Sequence, residues 1–132
     1  MQLKIVTPES EIFSGTVDMA TLPGGAGDFG VLPGHTALFS TIDIGEIYIK
    51  AENQEYYLAV GGGFAEVMDD KITILAEAAE KAMDIDSKRA EAAKSKAEAD
   101  LQSSNKEDAR FQKAEAALKR ANNRIQVSKR TA

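Results

Sequence analysis

The chain has 132 residues, a formal charge of −5 and no cysteine. That length holds one ordinary domain, or a small domain with an appendage, and the missing thiols exclude a disulfide framework, a thiolate nucleophile and a Cys-based zinc site. The acidic balance argues against non-specific nucleic-acid binding. No apolar run nears the ~20 residues of a membrane span and no basic-then-apolar leader opens the chain, so the sequence predicts a soluble intracellular protein.

All ten glycines fall between Gly15 and Gly63, and the three prolines, Pro8, Pro23 and Pro33, precede residue 34. Residues 1–84 hold 4 Lys, no Arg and 14 Asp+Glu, a charge of −10; residues 85–132 hold 12 Lys+Arg and 7 Asp+Glu, a charge of +5. So sharp an asymmetry marks two modules that meet different partners. The boundary is expected near Asp84.

The first module alternates and turns as an all-β domain does. Lys4–Thr7 stops at Pro8, and Glu11-Ile12-Phe13 turns at Ser14-Gly15. Thr16–Leu22 alternates with period two and is expected to end before Pro23-Gly24-Gly25. Glu46–Lys50 alternates, turns at Glu52-Asn53-Gln54 and continues as Tyr56–Val60. Phe64–Val67 turns at Asp69-Asp70 into Lys71–Leu75. Short strands at this spacing predict an antiparallel sandwich or barrel. No helical pattern separates them, so a parallel βαβ sheet is not expected.

From Asp86 the period becomes helical. Ala90, Ala93, Ala97 and Leu101 share one face. Ser103-Ser104-Asn105 interrupts the pattern, with Asn105 read as an N-cap and Glu107-Asp108 suited to a helix's positive first turn. A second helix carries Phe111, Ala114, Leu118, Ala121 and Ile125. Two stripes joined by a short polar turn predict an antiparallel hairpin. Its seam is mostly alanine, and each alanine buries little; helices of this length are marginal alone. A hairpin that detaches at modest cost and one that stays packed both fit these residues.

Gly25-Ala26-Gly27-Asp28-Phe29-Gly30 fits G-x-G-x-x-G, but Val31-Leu32-Pro33-Gly34 cannot open the helix that a dinucleotide site needs, so these are read as loop glycines. His35, the single histidine, has no companion ligands and is expected to make a contact on an exposed turn. No metal site and no catalytic constellation is expected. Arg110, Lys113, Arg120 and Arg124 form a cationic stripe on the second helix, either a solvated face or a grip for an acidic partner or phosphates.

The segment Gly27-Asp28-Phe29-Gly30-Val31-Leu32-Pro33-Gly34-His35 resembles the G-[DE]-x-G-[IV]-L-P-G-H segment of the epsilon subunits of F-type ATP synthases. Thr7-Pro8, Ala59–Val67, Ile72–Glu77 and Leu118–Arg124 are similar to that family as well, in order along nearly the whole chain. The resemblance implies an α+β fold: a ten-stranded antiparallel β-sandwich over residues 1–84, then a two-helix hairpin over 85–132. It implies a non-catalytic subunit of the central rotor stalk, bound to the gamma subunit and resting on the c-ring through the loop around Asp28 and His35. The hairpin would extend toward the catalytic beta and alpha subunits and restrain ATP hydrolysis, with Arg110, Lys113, Arg120 and Arg124 meeting an acidic surface. The place implied is the cytoplasmic face of the bacterial plasma membrane, reached through the complex only, with no nucleic-acid partner.

Some bacterial members bind ATP through an I-D-x-x-R-A motif, present here as Ile85-Asp86-Ser87-Lys88-Arg89-Ala90. Glu80, Arg120 and Arg124 match further positions of that site. Lys113, and Lys96 nearby, stand where nucleotide-binding members carry Arg, and a lysine lacks the bidentate fork. ATP is therefore expected as a weak or conditional regulatory ligand, no cofactor being required. The alternative is that Asp86 merely caps the first helix and the arginines are solvated. A free-standing ATP-sensing module built on the same hairpin is the competing function; an enzyme finds no support in the residues.

Overall fold

The computed structural model describes residues 1–131, which divide into two compact units, Met1–Lys81 and a second beginning at Ala82. The first unit is built from eight strands: β1 Gln2–Val6, β2 Glu11–Thr16, β3 Met19–Gly24, β4 Gly27–Val31, β5 Leu38–Ala51, β6 Gln54–Met68, β7 Lys71–Ala76 and β8 Ala79–Lys81. They hydrogen-bond in the order β2-β1-β7-β6-β5-β3-β4, with β8 added on β6.

The sheet folds over into two layers because β5 and β6 are long and serve both. Gly63–Met68 of β6 pair with β7, whereas Leu58–Val60 pair with β8. On β5, Tyr48–Lys50 pair with the start of β3. The change of layer falls at Gly62 and Gly63, whose φ values are +100° and +151°. A Cβ on Gly63 would lie 2.1 Å from the Leu75 carbonyl oxygen, so only glycine lets the two backbones approach this closely.

The sandwich is thus the expected one, with a different strand count. Eight strands replace ten: β6 joins Tyr56–Val60 and Phe64–Val67, expected as separate pieces, and β5 extends well beyond the expected Glu46–Lys50. One pair, β1 with β7, is parallel; most of the sandwich lies between these strands in sequence, so no crossover helix is required. Pro23 and Gly24, expected to end β3, continue it. The β3–β5 register shifts between Thr21 and Gly24, and this irregularity is where a strand proline fits. The inward residues of both layers form one cluster that includes Leu3, Ile5, Leu22, Ile47, Ile49, Leu58, Ile72 and Ile74. At roughly 1.5–3 kcal/mol per large apolar side chain, this cluster is the main support of the unit.

The second unit opens with a 3-10 turn at Ala82–Asp84, followed by α1, Ser87–Ser103, and α2, Ala109–Ser128. Asp86 caps α1: its Oδ1 accepts the Arg89 backbone N–H at 3.1 Å. The cap of α2 is Asp108, not Asn105. The Asn105 carbonyl instead accepts the Asp108 N–H in a short turn, and the Asp108 side chain takes the Arg110 N–H in the first turn of the helix. The buried positions of the two helices are Ala90, Ala97, Ala114, Ala121 and Val127.

Candidate functional site

Two of three surfaces carry the residues singled out by the sequence. The first is the turn after β4. His35 N–H donates to the Leu32 carbonyl, and Gly34 N–H donates to Asp70 Oδ1 at 3.0 Å, so the β6–β7 turn pins the Pro33–His35 loop. Both Asp69 and Asp70 adopt positive φ, the conformation of a tight two-residue hairpin turn. His35 is exposed; its Nδ1 lies 2.7 Å from the Thr36 carbonyl and therefore donates, which leaves Nε2 outward. Asp28 is exposed on strand β4 opposite Pro23 rather than on the loop itself. The glycine pattern at 25–30 is a strand turn and β4, with no helix behind it.

The second surface is apolar and was missed from the sequence. Phe39, Phe64, Met68 and Leu75 are exposed on the outer face of β5, β6 and β7. Phe39 and Phe64 stack at 5.8 Å between ring centroids, and Leu75 pairs directly with Phe64. The signal was available: Phe64, Glu66 and Met68 alternate with the buried Ala65 and Val67, which puts them outside. On the other layer, Tyr48 Oη donates to Glu55 Oε1 at 2.9 Å, and this bond to a carboxylate raises the Tyr48 pKa.

The third surface is a groove of about 450 Å³ between α1 and α2. Lys96, Arg110, Lys113 and Arg120 supply its cations; Asp100, Ser103 and Ser104 add polar atoms, and alanines form its floor. The structure therefore brings three of the four predicted stripe residues onto one groove and adds Lys96 from the facing helix. Arg124 lies one helical turn beyond Arg120, is half-buried, and has its Nε shielded from solvent. Of the I-D-x-x-R-A residues, Asp86 and Arg89 are exposed at the start of α1, Ile85 is half-buried and Ala90 buried. None of these four lines the groove. Glu80 belongs to the other unit, half-buried on β8 opposite Ala59.

Asp108 stands at the loop end of this groove. Its Oδ2 accepts from both Nε and Nη2 of Arg110, at 3.0 and 2.9 Å, and its Oδ1 accepts the Arg110 backbone N–H. The guanidinium bonds first, and the backbone bond second, hold the Asp108 carboxyl below the usual range; the same pair raises Arg110. Among the described residues no cluster of three or more His, Cys, Asp or Glu could hold a metal, and no helix is long and apolar enough to cross a membrane.

Comparison with known proteins covers both units. The sequence profile of the ATP synthase Delta/Epsilon chain beta-sandwich domain matches residues 1–82, and that of the Delta/Epsilon chain long alpha-helix domain matches residues 83–129. The chain is 46% identical over 127 residues to the ATP synthase epsilon chain of Nitratidesulfovibrio vulgaris, covering 96% of this chain and 94% of that one. It is 41% identical over 130 residues to the epsilon chain of Halalkalibacterium halodurans, covering 98% of each. Among solved structures it is similar to a chain of the Euglena gracilis mitochondrial ATP synthase OSCP/F1/c-ring assembly, with a TM-score of 0.79, 25% identity, and coverage of 92% of this chain and 76% of that one. A Tetrahymena thermophila central stalk/c-ring chain shares the fold at a TM-score of 0.57 and 16% identity, covering 98% of this chain and 94% of that one.

Proposed function

Since the chain belongs to the Delta/Epsilon chain family of ATP synthases, we propose that it is a non-catalytic rotor subunit that couples proton-driven rotation to ATP synthesis and restrains ATP hydrolysis with its C-terminal hairpin. As an epsilon chain it is a stalk component of a membrane-associated complex. In this reading the sandwich is the fixed part. Its exposed Phe39–Phe64–Leu75 face suits an apolar partner surface of the kind the gamma subunit would offer, and its pinned Pro33–His35 loop, with Asp28 on the adjoining strand, would meet the c-ring. The protein would sit at the cytoplasmic face of the bacterial plasma membrane, held there by the complex.

The observation that carries the regulatory half is the interior of the hairpin. Its seam buries Ala90, Ala97, Ala114 and Ala121, with Val127 the one larger side chain among the buried helix positions. A methyl per alanine is worth about 0.8 kcal/mol, so opening this seam costs far less than opening the sandwich. The cationic groove supplies the charge to meet an acidic segment of the beta or alpha subunits once extended. A regulatory ATP on the hairpin would have Arg89, Arg120 and Arg124 toward phosphates and Asp86 toward the base or ribose; Ile85 and Ala90 would complete that motif.

The test is a chain ending at Asp84, reconstituted into the complex. Hydrolysis is expected to rise while synthesis persists; unchanged hydrolysis would mean the hairpin does not inhibit. Calorimetry of the full chain with ATP, beside Arg89→Ala, tests the nucleotide separately. Heat from the parent and none from the variant is expected. No heat from the parent up to millimolar ATP removes ATP from the mechanism.

A further inference from the structure

The four cations of the hairpin groove are not equivalent. Lys96, Lys113 and Arg120 make no ion pair among the described residues, whereas Arg110 is bound at two guanidinium nitrogens by Asp108. The helix does not need this second interaction. Capping α2 requires only that Asp108 Oδ1 accept the Arg110 backbone N–H, which a neutral Asn side chain does equally well. The charge on Asp108 therefore adds to the cap rather than making it, and its side-chain bonds fall on one groove residue. Its pairing with Arg110 is partly solvent-exposed, 79% on the arginine side chain and 30% on the aspartate, so it is a weak hold that a phosphate can displace.

We propose that Asp108 sets the anion affinity of the groove by withholding Arg110: a phosphate-bearing polyanion first meets Lys96, Lys113 and Arg120, and gains the fourth cation only by breaking the Asp108–Arg110 pair. Arg110 is the one groove member besides Arg120 that can grip phosphate oxygens with a bidentate fork, the geometry the two lysines lack. Each ligand that recruits it must leave Asp108 without its partner, and the bare carboxylate then faces the incoming negative charge. The net affinity is lowered on both counts. The inference rests on the reading of the groove as a polyanion site.

Calorimetry of the full-length chain with inorganic tripolyphosphate, at low salt where exposed charges are least screened, tests it in a cycle of four proteins: parent, Asp108→Asn, Arg110→Ala and the double variant. Asp108→Asn keeps the cap, and unchanged far-UV helicity checks that it does. It is expected to tighten tripolyphosphate about three- to fivefold, the range an exposed ion pair supports. In the Arg110→Ala background the same change is expected to gain nothing, because no guanidinium remains to be released. ATP as a second probe is expected to show the same gain, which ascribes it to the phosphates rather than the base. Equal affinity of parent and Asp108→Asn overturns the proposal while leaving the groove a polyanion site. A gain of equal size in the Arg110→Ala background also overturns it, since Asp108 would then act only through its general field. Absence of binding by the parent and Asp108→Asn alike, up to millimolar tripolyphosphate, overturns the groove reading and the proposal with it.

Discussion

In the sandwich the buried positions are filled by branched aliphatics, Ile5, Ile47, Ile49, Ile72 and Ile74 among them; in the hairpin the buried helix positions are alanines, save Val127. Both interiors exclude water, yet they differ several-fold in apolar surface per residue. An alanine seam brings two helix backbones close and fixes their register without binding them strongly. The isoleucines of β1, β5 and β7 belong to one contiguous close-packed cluster, which is not opened piecemeal. The same chain therefore holds a unit suited to permanent assembly beside one suited to rearrangement.

The largest expected effect comes from cutting into the sandwich. Ile74 is fully buried on β7, and Ile74→Ala should cost about 3 kcal/mol through lost transfer energy and the cavity left behind. Urea denaturation followed by far-UV circular dichroism reads it as a lower midpoint of the strand signal. A cost below about 1 kcal/mol would show that the sandwich core is as soft as the hairpin and would erase the contrast.

Next in size is a change within the hairpin seam. Ala121→Gly removes a buried methyl from α2 and adds backbone freedom, together about 1.5–2 kcal/mol. Hydrogen exchange of the full chain should show faster exchange along α2 and α1 with the strand amides unmoved. If β5–β7 exchange faster as well, the two units unfold together and the hairpin is not an independent element.

How far the sequence reveals these features depends on which interaction decides each one. The alternation of Glu46–Lys50 and the turn residues Asp69-Asp70 show β-structure because their signals are local. The alanine seam was legible for the same reason, as a repeat of small residues at helical spacing. Tyr56–Val60 and Phe64–Val67 read as separate runs with Gly61-Gly62-Gly63 between them. Here the partner strands β5 and β7 carry the ladder through them, and that support comes from residues far away in sequence. The Phe39–Phe64 face escaped notice because a strand's outer apolar residues look like core until their register is known. The cap moved from Asn105 to Asp108 because both residue types suit that role; turn geometry made the choice.

A smaller effect separates two roles of Asp86. As the N-cap of α1 it should lose about 1 kcal/mol of helix stability on change to Ala and almost none on change to Asn. Thermal unfolding of the helical signal measures both variants. If Asp86→Asn keeps the helix but abolishes heat with ATP, the residue serves a ligand as well as the cap. Equal ATP binding by parent and Asn variant assigns Asp86 to the helix alone, leaving Arg89 as the first residue of the motif to test.

The smallest effect is electrostatic and confined to the hairpin's loop end. Asp108 has its pKa lowered in the folded chain, chiefly by the Arg110 side-chain bonds and then by the Arg110 backbone bond. A carboxyl depressed on folding contributes stability that is present above its unfolded value, roughly 3.9, and is lost as the pH falls through the lower folded value. Acidification from neutral to about pH 4 should therefore leave the first turn of α2 intact. Further acidification should fray it as the proton displaces Arg110. The carboxyl resonance of Asp108, followed by NMR titration, should move with a midpoint below the ordinary aspartate range. Arg110→Ala should shift that midpoint upward, though not fully, because the backbone bond to Oδ1 survives. A midpoint in the parent no lower than that of Arg110→Ala would mean that the Arg110 side chain is already free in solution. The groove would then hold four available cations, and Asp108 would be a helix cap and nothing more.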